Sequence, residues 1–563
     1  MNKQIFEKLQ KTIQSKIPLF IKITAFIFSL TLIILESNYQ LIKTTRLGVD
    51  FVSWGLSAMA PIFGIGFPYI NYWGINPPGL LLFTALWGLL AGSSIQSFHV
   101  LYVVLLASIV FLTWKILRRF FSSLESLVLF IIFNIFFLSS TTQSMFFPSE
   151  INGLVFALIG LYFALKKKVS KKDIFWASFF FILAGQMKEV FAFTGLTLFP
   201  HLLKAIHLGK KDTKKIILYA SLGILTSLLV LVGYLAINYS LGEYRDILQY
   251  KSGQFSLSDS GRFEKNLFHS IHYPKERFIY PKYEMAVLLF TSFISFLIYL
   301  SLTIKSKKAS KKNNIAVSFK LPSQTINYSI LLFFWIGSTM GYMAQGRYGY
   351  KYEIPVILPM ILIISLSIKI IFRSILQFLN IKLSRNLYLF ISAILFTIFL
   401  LPKKFFFIEH YQDISSYSFQ THRDKWLNLE NTGSIGMETH IKNNTKSSDC
   451  ITSIYGWSVG SQYYYSQRKS CSKYFLVNIL PGGKYKDYQN ELINNPPKAI
   501  VYITGSTDMN IEEFEQTAFD FSTVLENCYK QDNQFSSLYW SNFNKEELSE
   551  CLLSGIPENK TTN

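Results

Sequence analysis

The strongest constraint on this chain is a rhythm. Over the first 401 residues, apolar runs of roughly 15 to 23 residues alternate with short basic clusters. A helix crosses the hydrocarbon of a bilayer in about 20 residues, because every backbone polar group must there be satisfied within the segment itself. Runs near 18–36, 96–117, 124–141, 149–165, 174–188, 190–206, 216–237, 284–304, 328–343, 353–371 and 386–401 are read as spans, with 174–188 and 190–206 a pair of short halves. The run 79–92 is about 14 residues, a length suited to an interfacial or re-entrant helix, and is placed on the outer surface.

The basic clusters orient these spans. The N-terminus, 115–119, 166–172, 204–215, 305–320 and 369–385 hold roughly half of the 55 Lys and Arg residues and alternate with the remaining loops, as the positive-inside rule requires. The expectation is eleven spans in a multi-pass inner or plasma membrane protein, with a cytoplasmic N-terminus that stays as an anchor and an extracytoplasmic C-terminus. The formal net charge of +21 is thus mostly topological. With 50% apolar and only 16% charged residues, the chain fits neither a soluble nucleic-acid binder nor a disordered polymer.

Residues 402–563 are a different material. They are mildly acidic, carry all four cysteines (Cys450, Cys471, Cys528, Cys551), and mix β-like runs at 450–455 and 498–504 with a helical stretch at 511–527. A small extracytoplasmic α/β domain is expected, separate from the transmembrane domain formed by residues 1–401. Outside the cytoplasm the cysteines should form disulfides, and of three connectivities the sequence-neighbour pairs Cys450–Cys471 and Cys528–Cys551 are expected.

Charges stand out on the outer side because they are few. Asp50 is the only acid between Glu36 and Glu125, and the same loop holds Gly66-Phe67-Pro68-Tyr69 and Asn76-Pro77-Pro78-Gly79. Glu150 opens a span, Lys188 and Glu189 sit where two apolar halves meet, and Arg347, Lys351 and Tyr352 precede a span containing Pro355 and Pro359. Ionisable groups at a membrane boundary are costly unless they are partnered or act on a ligand. Acids beside cations suit a base that activates an acceptor and cations that neutralise a phosphate. Tyr69 and Tyr352 fit either a sugar or phosphate contact or an interfacial aromatic belt. His269 and His272 in the loop 238–283 are read as exposed loop residues rather than metal ligands, and the loop itself as a candidate lid. No phosphate-binding loop, dinucleotide fingerprint or metalloprotease helix is present.

This pattern resembles the GT-C superfamily of polytopic glycosyltransferases, in particular those using polyprenyl-phosphate sugars, of the protein mannosyltransferase and aminoarabinose transferase kind. The resemblance rests on Asp50, Gly66 to Tyr69, Asn76 to Gly79, Glu150, and the stretch Tyr350, Lys351, Tyr352 and Pro355. It implies that Asp50 is the general base and that Glu150 assists. Lys188, Arg347 and Lys351 would stabilise the departing lipid phosphate, with Glu189 beside them. Phe51 follows Asp50 where many relatives have Glu, and Asn76 precedes the proline pair where Lys is commoner. Use of a divalent cation and the identity of the sugar are left open by those differences.

The reading is therefore a polytopic α-helical membrane protein with about eleven transmembrane helices, GT-C-like, and a C-terminal soluble α/β domain. Its function would be transfer of a sugar from a polyprenyl-phosphate donor to a lipid, polysaccharide or protein acceptor on the outer face, with no nucleic-acid partner. A transporter or flippase, or a scaffold or receptor acting through its outer domain, is the alternative. A transporter should carry charges deep within its spans rather than at their ends.

Overall fold

The computed structural model describes residues 19–34, 49–142, 149–255, 323–344, 350–379, 436–454, 459–474, 484–502 and 520–556, apart from isolated positions within these ranges and beyond them. An apolar helix, α1 (Leu19–Thr31), comes first. It is followed by α2 (Val49–Phe63), α3 (Pro78–Ala91), α4 (Ile95–Phe120), α5 (Ser123–Thr142), α6 (Ser149–Ala164) and α7 (Lys171–Met187). A 3₁₀ segment, Glu189–Leu198, leads into α8 (Phe199–Leu208), α9 (Lys210–Ile237) and α10 (Leu241–Phe255), and then come α11 (Ser323–Ala344) and α12 (Tyr350–Phe378).

Among the described residues, four helical stretches are long and apolar enough to cross a membrane by length and composition: Gln96–Phe120, Glu189–Ile206, Asp212–Ile237 and Ile354–Arg373. Shorter apolar helices, including Ser123–Ile135 and Ser149–Ala164, pack among them, and the protein is a membrane protein. The expected spans 284–304 and 386–401 fall almost wholly outside the described residues.

The basic clusters gather at one end of this bundle. Arg119, in the last turn of α4, donates to the Tyr162 carbonyl at 3.1 Å and lies 4.2 Å over that ring. Lys369 of α12 meets the buried Glu125 of α5 at 2.9 Å. Lys166 pairs with Asp173 at 2.5 Å, and Asp173 also closes a capping box with Ser170 at the start of α7. Arg118 and Arg119 complement the negative pole of the α4 dipole.

Three stretches of the fold depart from the pattern of apolar runs. The loop 37–95 contains a second helix, α2, whose short run is broken by Gly55 and Pro61. It ends in a paired-carbonyl cap: Gly64, at φ 68°, donates to the Pro61 carbonyl and Ile65 to that of Ala60. The loop 238–283 begins with helix α10. The run 190–206, read as one span, is divided into a ten-residue 3₁₀ segment and α8.

The 3₁₀ segment exists because of its neighbour. A repeat of three places Phe191, Thr194 and Thr197 on one face, and all three are fully buried. Both threonine hydroxyls donate back to carbonyls three residues earlier. On α11, Gly337 and Gly341 are spaced Gly-x-x-x-Gly, and a Cβ at either would overlap the carbonyl oxygens of Phe193 and Val190 respectively. Small residues permit such close backbone approach in membranes, where packing rather than a hydrophobic drive holds helices together.

The C-terminal region contains α13 (Gly436–Asn444), β1 (Cys450–Ile454), α14 (Val459–Ser466), β2 (Lys469–Ser470), α15 (Tyr485–Asn494), β3 (Ala499–Tyr502), α16 (Phe521–Cys528), β4 (Lys530–Gln531), β5 (Leu538–Trp540) and α17 (Lys545–Ser554). Its strands form one sheet in the order β2-β1-β3-β5-β4. β1 pairs in parallel with β2 and β3, with Ile451 opposite Ala499, and β5 is antiparallel to both β3 and β4. Near-continuous apolar burial of Ile451, Ile454, Ile500 and Val501 is what a parallel pair covered on both faces demands. Disulfides join Cys450 to Cys471 and Cys528 to Cys551.

Candidate functional site

The end of the bundle opposite the basic clusters is built around Glu150. This residue lies in the first turn of α6, where the positive helix pole favours a carboxylate, and its side chain is 1% exposed. Its Oε1 is 3.4 Å from the Lys188 ammonium, and the Ser149 hydroxyl approaches its Oε2 at 3.4 Å. Lys188 caps α7 in extended backbone and remains 22% exposed, so the pair is rooted in the protein at the acid and open at the base.

The elements around the pair explain its position. Gly153, one turn further along α6, lies against the Phe191 ring of the 3₁₀ segment. Pro78 opens α3 at its first position, where the missing N–H costs nothing. A Cβ on the following Gly79 would come within 2.7 Å of Gln186, so the Pro-Pro-Gly turn is laid directly on the end of α7, two residues before Lys188.

The loop between α2 and α3 forms the adjoining wall. Phe67 N–H donates to the Asn71 side chain at 2.8 Å, and Tyr69 N–H to the Tyr72 carbonyl at 3.1 Å. Tyr69 is held at φ 66°, a region that a bulky side chain occupies only under tertiary compulsion. The compulsion is visible. Its hydroxyl donates to the Asn76 carbonyl at 2.6 Å, its ring is 1% exposed and 5.1 Å from Tyr244, and Ser240 donates to the neighbouring Pro68 carbonyl at 2.6 Å. Burial raises the Tyr69 hydroxyl well above the usual phenol value, with Tyr244, Tyr234 and Glu189 adding to the effect. Burial and the Glu189 charge likewise raise Tyr244 to about 12. Both phenols remain neutral donors at any physiological pH, and Glu189 faces them.

Of the residues singled out in the sequence, Glu150, Lys188, Glu189 and Tyr69 therefore meet at one end of the bundle. Tyr69 stands inside the wall with its hydroxyl committed to Asn76. Asp50 is the second residue of α2, but its side chain, like those of Lys351 and Tyr352 in the first turn of α12, lies outside the described residues, as do Arg347, His269 and His272. Phe51, next to Asp50, is fully buried between Trp54, Phe98 and Tyr464, at ring separations of 4.5, 4.7 and 6.4 Å. Tyr464 of α14 also donates to the Ser93 carbonyl at 2.8 Å, and Lys473 lies 3.9 Å from Glu243 of α10. The C-terminal sheet thus docks on α2, on the start of α4 and on α10, at the Glu150 end.

Sequence reasoning missed Tyr234, Ser240 and Tyr244. Tyr234 sits near the end of an apolar run and Ser240 and Tyr244 just beyond it, positions that carry no local signal, and only the fold brings them under the 66–72 loop. Among the described residues no three His, Cys, Asp or Glu side chains come together, and Glu150 is already matched by Lys188.

Residues 75–304, the stretch that holds Glu150, Lys188 and Glu189, match the model of glycosyltransferase family 87. No curated protein matches the chain. Among solved structures, the crystal structure of the Archaeoglobus fulgidus oligosaccharyltransferase in the apo form aligns at 14% identity and a TM-score of 0.49, over 87% of this chain and 70% of that one. The segment that builds the Glu150 end of this helix bundle is thus the part of the chain that is similar to a glycosyltransferase family.

Proposed function

We propose that the protein transfers a sugar from a polyprenyl-phosphate donor to a hydroxyl or amine of a lipid, polysaccharide or protein acceptor, at the Glu150 end and on the extracytoplasmic face. The observation that carries this reading is the Glu150–Lys188 pair, a buried acid and a part-exposed cation at the mouth of α6 and α7. Its position under the Pro77-Pro78-Gly79 turn suits a lipid-borne phosphate that reaches the bundle from the side.

In this reading Asp50 accepts the proton of the acceptor O–H or N–H. The freed electron pair forms a bond to the anomeric carbon, and the bond from that carbon to the phosphate oxygen breaks with its electrons. The lipid phosphate leaves carrying the negative charge, beside Lys188 and the Arg347 and Lys351 cations. A fixed cation aimed at charge that develops only in the transition state lowers the barrier without reorganisation. Glu150 holds Lys188 in place, and Glu189 with the neutral phenol of Tyr244 frames the acceptor side. The soluble sheet, docked on α2, α4 and α10 at this end, supports the acceptor.

The test is Asp50→Asn, assayed for glycan transfer in membranes supplied with polyprenyl-phosphate sugar. Loss of a general base should cost about 10²- to 10⁴-fold in rate. Transfer at the parental rate would remove Asp50 from the mechanism.

A further inference from the structure

The opposite end of the bundle holds a cavity of about 200 Å³ that the transfer reaction does not use, lined by Arg119, Asn327, Tyr328, Lys369 and Arg373 and by the apolar side chains of Phe120, Leu366 and Ile370. It opens between α4, α11 and α12, at the membrane boundary marked by the basic clusters.

Its charge is lopsided. The lining carries three cations, Arg119, Lys369 and Arg373, and among the described residues no carboxylate. Lys369 is matched by Glu125 at 2.9 Å from behind the lining, and the guanidinium groups of Arg119 and Arg373 add their charge to the cavity's positive field. Arg119 is held in place by its stacking on Tyr162 and its bond to the Tyr162 carbonyl, which fixes the plane of its remaining N–H groups before any ligand arrives. Asn327 and the Tyr328 hydroxyl, 3.4 Å from that of Ser367, add neutral polar groups on the α11 side. Planar guanidinium donors beside neutral donors match the oxygens of a phosphate. The apolar wall then decides the source: a free anion gains nothing from Phe120, Leu366 and Ile370, whereas the glycerol and upper acyl chains of a lipid do.

We propose that this cavity binds the phosphate headgroup of an anionic phospholipid from the leaflet at the basic end, a lipid site distinct from the one at Glu150. Basic pockets between membrane helices are suited to such headgroups because the surface potential of anionic lipid adds to the local charge. The inference is independent of the transfer mechanism, since none of its residues belongs to the Glu150 end.

The experiment uses the full chain in nanodiscs of phosphatidylcholine with a minor share of phosphatidylglycerol, followed by native mass spectrometry of the released protein with its retained lipid. Retention of phosphatidylglycerol over phosphatidylcholine is expected. The double variant R119Q/R373Q should lower that retention by about tenfold or more, as loss of charge-assisted bonds to one phosphate predicts, while R119K/R373K retains most of it. If R119Q/R373Q does not fold, R373Q alone gives the same reading, because that side chain is exposed. Equal retention of the two lipids, or undiminished retention in the glutamine variants, would overturn the proposal. So would displacement of the lipid by millimolar inorganic phosphate alone, which would make the ligand a free anion.

Discussion

Replacing Lys188 by methionine keeps the length of the side chain and removes its charge, which isolates what the ion pair contributes. At 3.4 Å the attraction between the Lys188 ammonium and the Glu150 carboxylate is about 5 kcal/mol at an effective dielectric of about 20. Desolvation of the acid offsets part of that. Removing the cation leaves a carboxylate with 1% exposure without that charge beside it, and such removals cost about 3 to 5 kcal/mol. Glu150→Gln differs, because Lys188 is 22% exposed and can turn toward water; about 1 kcal/mol is expected. The double variant E150Q/K188M should then be more stable than K188M alone, with a coupling of about 2 kcal/mol or more. Unfolding in graded denaturing detergent, followed by intrinsic fluorescence, measures all four corners of this cycle. Equal costs for the two single variants, with an additive double, would refute the picture of an acid that depends on its cation. The same variants separate stability from chemistry, since K188M should lose transfer even at temperatures where it remains folded.

Other expectations follow from the same contacts. Gly341→Ala should destabilise the protein by about 2 to 3 kcal/mol through overlap with the Val190 carbonyl. Gly195→Ala, where nothing lies within 4 Å of the added carbon, should be nearly neutral, and the two melting temperatures compared side by side check this. In the C-terminal sheet, burial opposes ionisation of Asp532, but bonds from the Trp540 indole, the Gln534 and Phe535 amides and His440 bring its carboxyl down to about 2. A depressed folded value means that the stabilisation is present above the unfolded value near 4 and is lost as the pH falls from there toward 2. About 1 to 2 kcal/mol is expected, allowing for the water that still reaches the site, and Asp532→Asn should flatten the stability profile over that interval.

The helices that hydropathy reveals best are those whose surroundings resemble lipid throughout. The runs 96–117, 149–165, 216–237 and 353–371 coincide with helices because about 20 apolar residues have few other solutions, and positive clusters reported the shared end of Arg119, Lys166 and Lys369. Glu150 and Lys188 could be picked out because charge at a span boundary is expensive. Their partnership could not, since they lie 38 positions apart and only the packing of α6 on α7 brings them together. The helix α2 was hidden because Gly55 and Pro61 interrupt its pattern, and its stability comes from packing on Phe98 and Tyr464, which are distant in sequence. The parallel pairing of β1 with β3 was likewise invisible, since alternation shows that a strand exists and says nothing of its neighbour.

The 3₁₀ segment also sets a distance. A 3₁₀ turn rises about 2.0 Å per residue against about 1.5 Å for an α-helix, so ten residues reach about 20 Å instead of 15. With the ten residues of α8, a run that would barely equal the thickness of the hydrocarbon extends to about 35 Å. The surplus lies at the Glu189 end. Rewound as an ordinary helix, this stretch would draw Lys188 and Glu189 about 5 Å toward α8 and lift the cation away from Glu150. The stretched helix acts as a spacer that holds two charges at the Glu150 end of the bundle.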